Sequence, residues 1–215
     1  TWQTLHFQTS RAAKNLMTEL ETFLGRVAKR LDHLGARWAV IGGIAVSSRS
    51  EPRFTRDIDV AVSVNDDDEA ERITLDFRQA GMSILAMIEQ EAVGRLATVR
   101  LNVDPRSEVI TDLMFSSSGI EPEIVAAAKV MPVFPTTYAP VAQIGHLIAL
   151  KVLSKSETRF QDSADLQNLL LVADEVERDR AREAVKLITK RGYNRGKDLE
   201  GELEHLCKQY PALTS

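Results

Sequence analysis

The stretch "VIGGIAVSSRSEPRFTRDIDVAV", residues 40–62, holds two apolar runs separated by a polar loop, and the second run carries two carboxylates, Asp57 and Asp59. A charge taken out of water costs several kcal/mol unless it is paired or binds a metal. Side chains alternate along a strand, so residues two apart share a face, and each carboxylate worsens the position of the other. The pattern calls for a cation at that face. Upstream, Gly42 and Gly43 sit where a strand gives way to a helix, and glycines there let backbone N–H groups approach a phosphate. Tight turns also use glycines, so they say little alone. A strand-to-helix glycine pair with Asp-x-Asp beginning 14 residues after Gly43 is far more specific.

A third carboxylate, Asp112, lies inside "EVITDLMF" (108–115), another run of strand formers. If the two strands are neighbours, Asp57, Asp59 and Asp112 converge on one sheet face. Oxygen-only ligands suit hard cations such as Mg²⁺ or Mn²⁺, whereas zinc prefers His and Cys. The four histidines, at 6, 33, 146 and 205, have no ligand spacing. Two such ions about 4 Å apart activate an attacking oxygen and stabilise the leaving pyrophosphate of a nucleotide. Plainer readings stand beside this one. Asp57 could end a strand, Asp59 could pair with Arg53 or Arg56, and Asp112 could be a turn or edge residue. Arg49, Arg53 and Arg56 meet phosphate or form a solvated loop. Trp38 and Phe54 read as core residues in preference to stacking platforms.

Outward from this centre, apolar residues at Leu16, Leu20, Phe23, Val27, Leu31 and Leu34 predict an amphipathic helix stopped by Gly35. "RWAVIG" (37–42) and "DIDVAV" (57–62) read as strands, and 66–81 as a helix with an acidic first turn. "ATVRLNV" (97–103) and 108–115 read as strands joined by the turn "DPRS", followed by a short helix near 121–129 and a Pro-punctuated extended piece, "MPVFPTTYAP". Helices are predicted over 141–154, 163–173, 175–190 and 197–209. The expected class is α+β: a small mixed sheet with helices over residues 1–135, then a helical bundle over 136–215.

Hydrophobic residues make up 44% and charged residues 27%, and 27 Lys+Arg against 31 Asp+Glu give a net charge of -4. No global basic field advertises nucleic acid, although a local basic cleft would suffice. The single cysteine, Cys207, excludes an internal disulfide. With no signal-like N-terminal segment and no apolar run long enough for a bilayer, a soluble cytoplasmic protein without membrane contact is expected.

The glycine turn followed by Asp-x-Asp resembles the signature of the DNA polymerase β-like nucleotidyltransferase superfamily. Within it, Arg53-x-Thr55-x-Asp57-Ile58-Asp59 is similar to the AbiEii/MenT-type toxins of toxin–antitoxin systems. "HLIALKVLSKSETRFQDSADLQNLL" (146–170) resembles their later motifs: a helix-borne Lys, an Arg, then Asp-x-x-Asp-Leu. The resemblance covers about residues 38 to 172. It implies a polymerase β-like core. Gly42, Gly43 and neighbours such as Arg53 and Thr55 would hold the triphosphate, and Asp57 and Asp59 would bind the metals. Asp112 would be the third ligand and proton acceptor, and Lys151 would contact phosphate, with Asp162 or Asp165 near the nucleotide. Lys151 could instead reach from an apolar face to water, and Lys155 and Arg159 read as solvated. Two departures stand out: Gly43 replaces a frequent Ser, and Gln161 replaces a frequent Lys, which leaves the choice between Asp162 and Asp165 open. The implied reaction moves NMP from an NTP to a hydroxyl, with the 3′ end of tRNA as acceptor and an antitoxin as partner. The alternatives are an antibiotic-type small acceptor, or a module that binds nucleotide without turnover.

Overall fold

The computed structural model describes residues 11–90, 93–156 and 160–212. His6 and Arg159 lie outside the described residues.

Helix α1 (Arg11–His33) turns Leu20, Phe23, Leu24, Val27 and Leu31 inward, the three-and-four spacing expected of one buried stripe. Strand β1 (Arg37–Ile41) runs into helix α2 (Gly42–Arg49) without a linker. Strand β2 (Asp57–Ser63) returns antiparallel beside β1, with Ile41 opposite Asp59 and Trp38 opposite Val62. Helix α3 (Asp67–Gln79) starts where the Asp66 side chain accepts the Glu69 N–H, and it has three acidic residues in its first turn.

Strands β3 (Ser83–Gln90) and β4 (Arg95–Asn102) form a hairpin, and β4 pairs antiparallel with β5 (Ile110–Met114). The decisive pairing is β5 with β2, parallel and in unbroken register. After helix α4 (Glu121–Ala127), strands β6 (Lys129–Phe134) and β7 (Thr137–Val141) make a second hairpin, and β7 lies parallel to β1. The sheet reads β3-β4-β5-β2-β1-β7-β6. Position 135/136, the expected division of the chain, falls in the turn of the β6–β7 hairpin, so strands from both sides share one sheet.

Four helices complete the chain: α5 (Ile144–Ser154), α6 (Phe160–Val172), α7 (Glu175–Lys190) and α8 (Leu199–Gln209). Helix α5 is buried on most sides. At Gly145 an added Cβ would lie 2.3 Å from the Glu177 carbonyl oxygen, so only glycine allows α7 this close. Among the described residues no helix is long and apolar enough to cross a membrane.

Candidate active site

Parallel pairing sets Asp59 of β2 directly beside Asp112 of β5, with Asp57 beside Ile110. Register neighbours point to the same face, about 4.8 Å apart across the ladder, and Asp57 shares that face by the pleat. The three carboxylates therefore meet on one side of the sheet, at the wall of a cleft of about 750 Å³. Asp112 is 6% exposed, Asp59 is half-buried and Asp57 is exposed.

The electrostatic cost predicted from the motif is visible. Burial, then the charges of Asp112 and Asp57, push the Asp59 carboxyl up to about 6. Burial and Asp112 raise Asp57 as well. One cation already stands there: Arg100 of β4 donates from Nε to Asp112 Oδ1 at 2.9 Å and from Nη2 to Oδ2 at 2.7 Å. The carboxylates raise this guanidinium above its ordinary value, chiefly through the hydrogen bond with Asp112. Asp112 is thus engaged by Arg100 from β4, on the side of β5 away from β2. Among the described residues no three His, Cys, Asp or Glu side chains are grouped to hold a metal ion as they stand.

The β1–α2 turn adjoins Asp59 in the same wall. Gly42 has φ +60, and a Cβ there would lie 1.8 Å from Asp59 Oδ2, so glycine alone fits. The Gly43 N–H bonds back to the Asp59 carboxylate. A Cβ on Gly43 would come 2.7 Å from Thr55 Oγ1 and 2.9 Å from Arg53 Nη2, which places both loop residues against the turn.

The far side of the cleft is a buried ion network. Lys151 of α5 lies 2.7 Å from Asp162 and 2.7 Å from Asp165. Arg53 donates to Asp165 at 2.9 Å, and its Nε is 2.7 Å from the other oxygen at an angle that makes no hydrogen bond. Burial pushes Asp165 up, but its bonds with Lys151 and Arg53 outweigh that and leave it lowered. Lys151 is thus pinned between two acids at the cleft wall, its side chain 14% exposed. Asp165 is fully buried behind the cleft, whereas Asp162 lines it and also accepts from Ser154 Oγ.

Other expectations fare differently. Arg49 turns away and donates to the Val141 and Ala142 carbonyls. Arg56 lies over the Phe54 ring. Trp38 is core as expected, but Phe54 is 59% exposed, because its loop leaves the sheet before β2 begins. The sequence reading missed Arg100, Ser118 and Glu121, all of which line the cleft. For Arg100 the only available signal was its polar place between Val99 and Leu101, and it faces Asp112 only through pairing.

The chain matches the family model of the nucleotidyl transferase AbiEii toxin, a type IV toxin–antitoxin component, over residues 26–209. Among solved structures it is similar to the antibiotic-resistance factor ANT(2'')-Ia (15% identity, 89% of this chain, 95% of that one, TM-score 0.48). It is also similar to the lincosamide antibiotic adenylyltransferase LnuA (13% identity, 71% and 98% covered, TM-score 0.49). A nucleotidyltransferase-like protein from Paracoccidioides brasiliensis aligns with 16% identity, 89% and 93% covered, and TM-score 0.47. Likenesses this distant lend nothing to the choice of substrate. No curated protein matches the chain. The family match contains the glycine turn, all three sheet carboxylates and the Lys151 network, and the chain belongs to the AbiEii nucleotidyltransferase toxins.

Proposed function

We propose that the protein moves a nucleoside monophosphate from an NTP to the 3′ end of tRNA, using Mg²⁺ and releasing pyrophosphate. The observation that carries this reading is the register that puts Asp59 beside Asp112, with Asp57 on the same face, next to a turn that tolerates no side chain at Gly42.

The donor set fits a hard divalent ion: three carboxylates, no nitrogen or sulfur ligand among them, and an Asp59 pushed up by burial and by its two acidic neighbours. Asp57 and Asp59 would hold it, with Asp112 joining once released from Arg100. Such ions supply charge neutralisation at the attacking and leaving oxygens.

The chain's own groups account for the rest. Gly42 and Gly43 let the β1–α2 turn lie directly against Asp59, Thr55 and Arg53 at the cleft wall, where the triphosphate would be held. Lys151 adds fixed positive charge, oriented by Asp162 and Asp165. Asp112 receives the proton of the attacking hydroxyl. The tRNA acceptor, cytoplasmic action and a cognate antitoxin rest on the family resemblance, because a completed 3′ end blocked by an extra nucleotide halts translation.

The test is incubation with each α-labelled NTP, Mg²⁺ and total RNA. Label is expected to run with tRNA, and Asp57→Ala or Asp59→Ala is expected to abolish it. Pyrophosphate release without labelled RNA would move the acceptor to a small molecule. No release with any NTP would leave a nucleotide-binding module without turnover.

A further inference from the structure

Phe54 stands in the polar loop between α2 and β2, three residues before Asp57, and is 59% exposed. Single exposed apolar side chains are ordinary on protein surfaces. This one is set apart by its supports. The Arg53 N–H donates to Ser47 Oγ at 3.2 Å, and the Arg53 guanidinium donates to Asp165 at 2.9 Å, which ties the loop to the body of the fold. The same guanidinium donates to the Phe54 carbonyl at 3.1 Å. On the other side Arg56 lays its guanidinium over the Phe54 ring, 5.6 Å from the centroid. An anchored backbone thus displays an aromatic ring with a cation on one face and surface left open to a second flat partner.

Along the loop Arg53, Thr55 and Asp57 line the cleft, whereas the alternate residues Phe54 and Arg56 do not. Phe54 and Arg56 therefore stand outside the cleft, beside its rim. Three residues span at most about 11 Å, so the Phe54 backbone is no farther than that from Asp57. In the reading above, the NTP fills the cleft, and the acceptor arrives from outside with its hydroxyl at the Asp57–Asp59 face. A base on the acceptor's last sugar, one ribose from that hydroxyl, then comes within reach of Phe54.

We infer that Phe54 is a stacking platform for an unpaired nucleobase at the 3′ end of a polynucleotide acceptor, with Arg56 backing the ring and drawing in a neighbouring phosphate. Stacking of this kind accepts any base, because every base has a π-face. Arg56 also lies 3.9 Å from Glu108, but both side chains are well exposed, and such a pair yields readily to a phosphate. A saturated, cationic acceptor of the antibiotic type offers the ring no flat face and is repelled by Arg56. The platform therefore favours nucleic acid.

This inference rests on the RNA-acceptor reading above, and steady-state labelling separates the two. NTP-dependent labelling with Mg²⁺ is measured against tRNA concentration for the intact protein, Phe54→Leu and Phe54→Trp, and NTP binding is measured without RNA. Leucine keeps apolar bulk and removes the π-face. In Phe54→Leu the KM for tRNA is expected to rise about five- to a hundredfold. NTP affinity and melting temperature should stay unchanged, because the side chain is exposed. Phe54→Trp should keep the KM, and its indole emission should be quenched by tRNA but not by tRNA trimmed of its unpaired 3′ tail. An unchanged KM in Phe54→Leu, or equal quenching by trimmed tRNA, overturns the inference while leaving RNA labelling intact. Weakened NTP binding in Phe54→Leu also overturns it, since the ring would then serve the donor. Absence of RNA labelling by the intact protein overturns the acceptor reading and the inference with it.

Discussion

Arg100 and Asp112 face one another across β4 and β5 and meet through two nearly parallel hydrogen bonds, Nε to Oδ1 and Nη2 to Oδ2. The pair is charge-assisted and bidentate, the strongest common form of such a contact. It supplies the sheet face with a positive charge from the chain itself. Arg100 and a divalent ion then compete for the same oxygens. Arg100→Ala is expected to lower the melting temperature without metal, because Asp112 loses its hydrogen-bonded cation and Asp57 loses a neighbouring positive charge. Adding Mn²⁺ should raise it by more than in the unaltered protein, at about 2–4 °C per kcal/mol for a chain of this size. An equal metal response in both proteins would disprove the competition.

Asp59 gives a pH signature. Its carboxyl, pushed up to about 6 in the fold against 3.8 unfolded, keeps a proton that the unfolded chain releases. Stability therefore falls as pH rises from about 4 to 6, and the full penalty persists above. A shift of this size corresponds to about 3 kcal/mol, trimmed to about 1–2 by partial exposure. Asp59→Asn should thus be more stable than the unaltered protein at pH 8 without metal and inactive in NTP labelling. The gain should vanish near pH 4 in urea titrations.

Gly42 and Gly43 should respond unequally to alanine. At Gly42 the positive φ costs about 1–2 kcal/mol, and the Cβ would displace Asp59 itself. Labelling should fall at least a hundredfold, along with the melting temperature. At Gly43 the obstructing atoms are the tips of Thr55 and Arg53, which can shift, so the melting temperature should change less.

Removing Asp165 strands two cations. Asp165→Ala leaves Arg53 without its carboxylate partner and Lys151 with Asp162 only, at a cost of about 3–5 kcal/mol. Urea unfolding measures the loss. A change under 1 kcal/mol would show that the network holds little of the fold.

His146 titrates in the opposite sense to Asp59. Burial, then the charge of Arg180, holds its imidazole down to about 4, with Glu123 opposing. The unfolded chain takes up a proton near 6.5 that the fold refuses, so stability is lost as pH falls from about 6.5 to 4. His146→Gln should show a smaller drop in melting temperature between pH 7.5 and 5.0.

Asp57 and Asp59 were legible from sequence because their relation is local, two residues apart on one strand. Asp112 was legible as a carboxylate among strand formers, but its place beside Asp59 depends on a parallel pairing between distant segments. Arg100 was hidden for the same reason. Strand β3 escaped notice because it is an edge: Leu85, Met87 and Ile88 are all exposed, so no alternation marks it. Residues 131–140 read as extended chain, and the hairpin became evident only when β7 met β1. Glu121 gave no signal at all, since a Glu opening a helix normally faces water.

The unbroken β2–β5 ladder also dictates where this chain can change length. One residue inserted between Ile110 and Asp112 would rotate that acid to the reverse side of the pleat and leave Asp59 without its neighbour. The same insertion in the turn at 104–107 would be absorbed by the loop. Drift in chain length is therefore confined to the loops, and the spacing inside β5 must stay rigid for as long as the chemistry is kept.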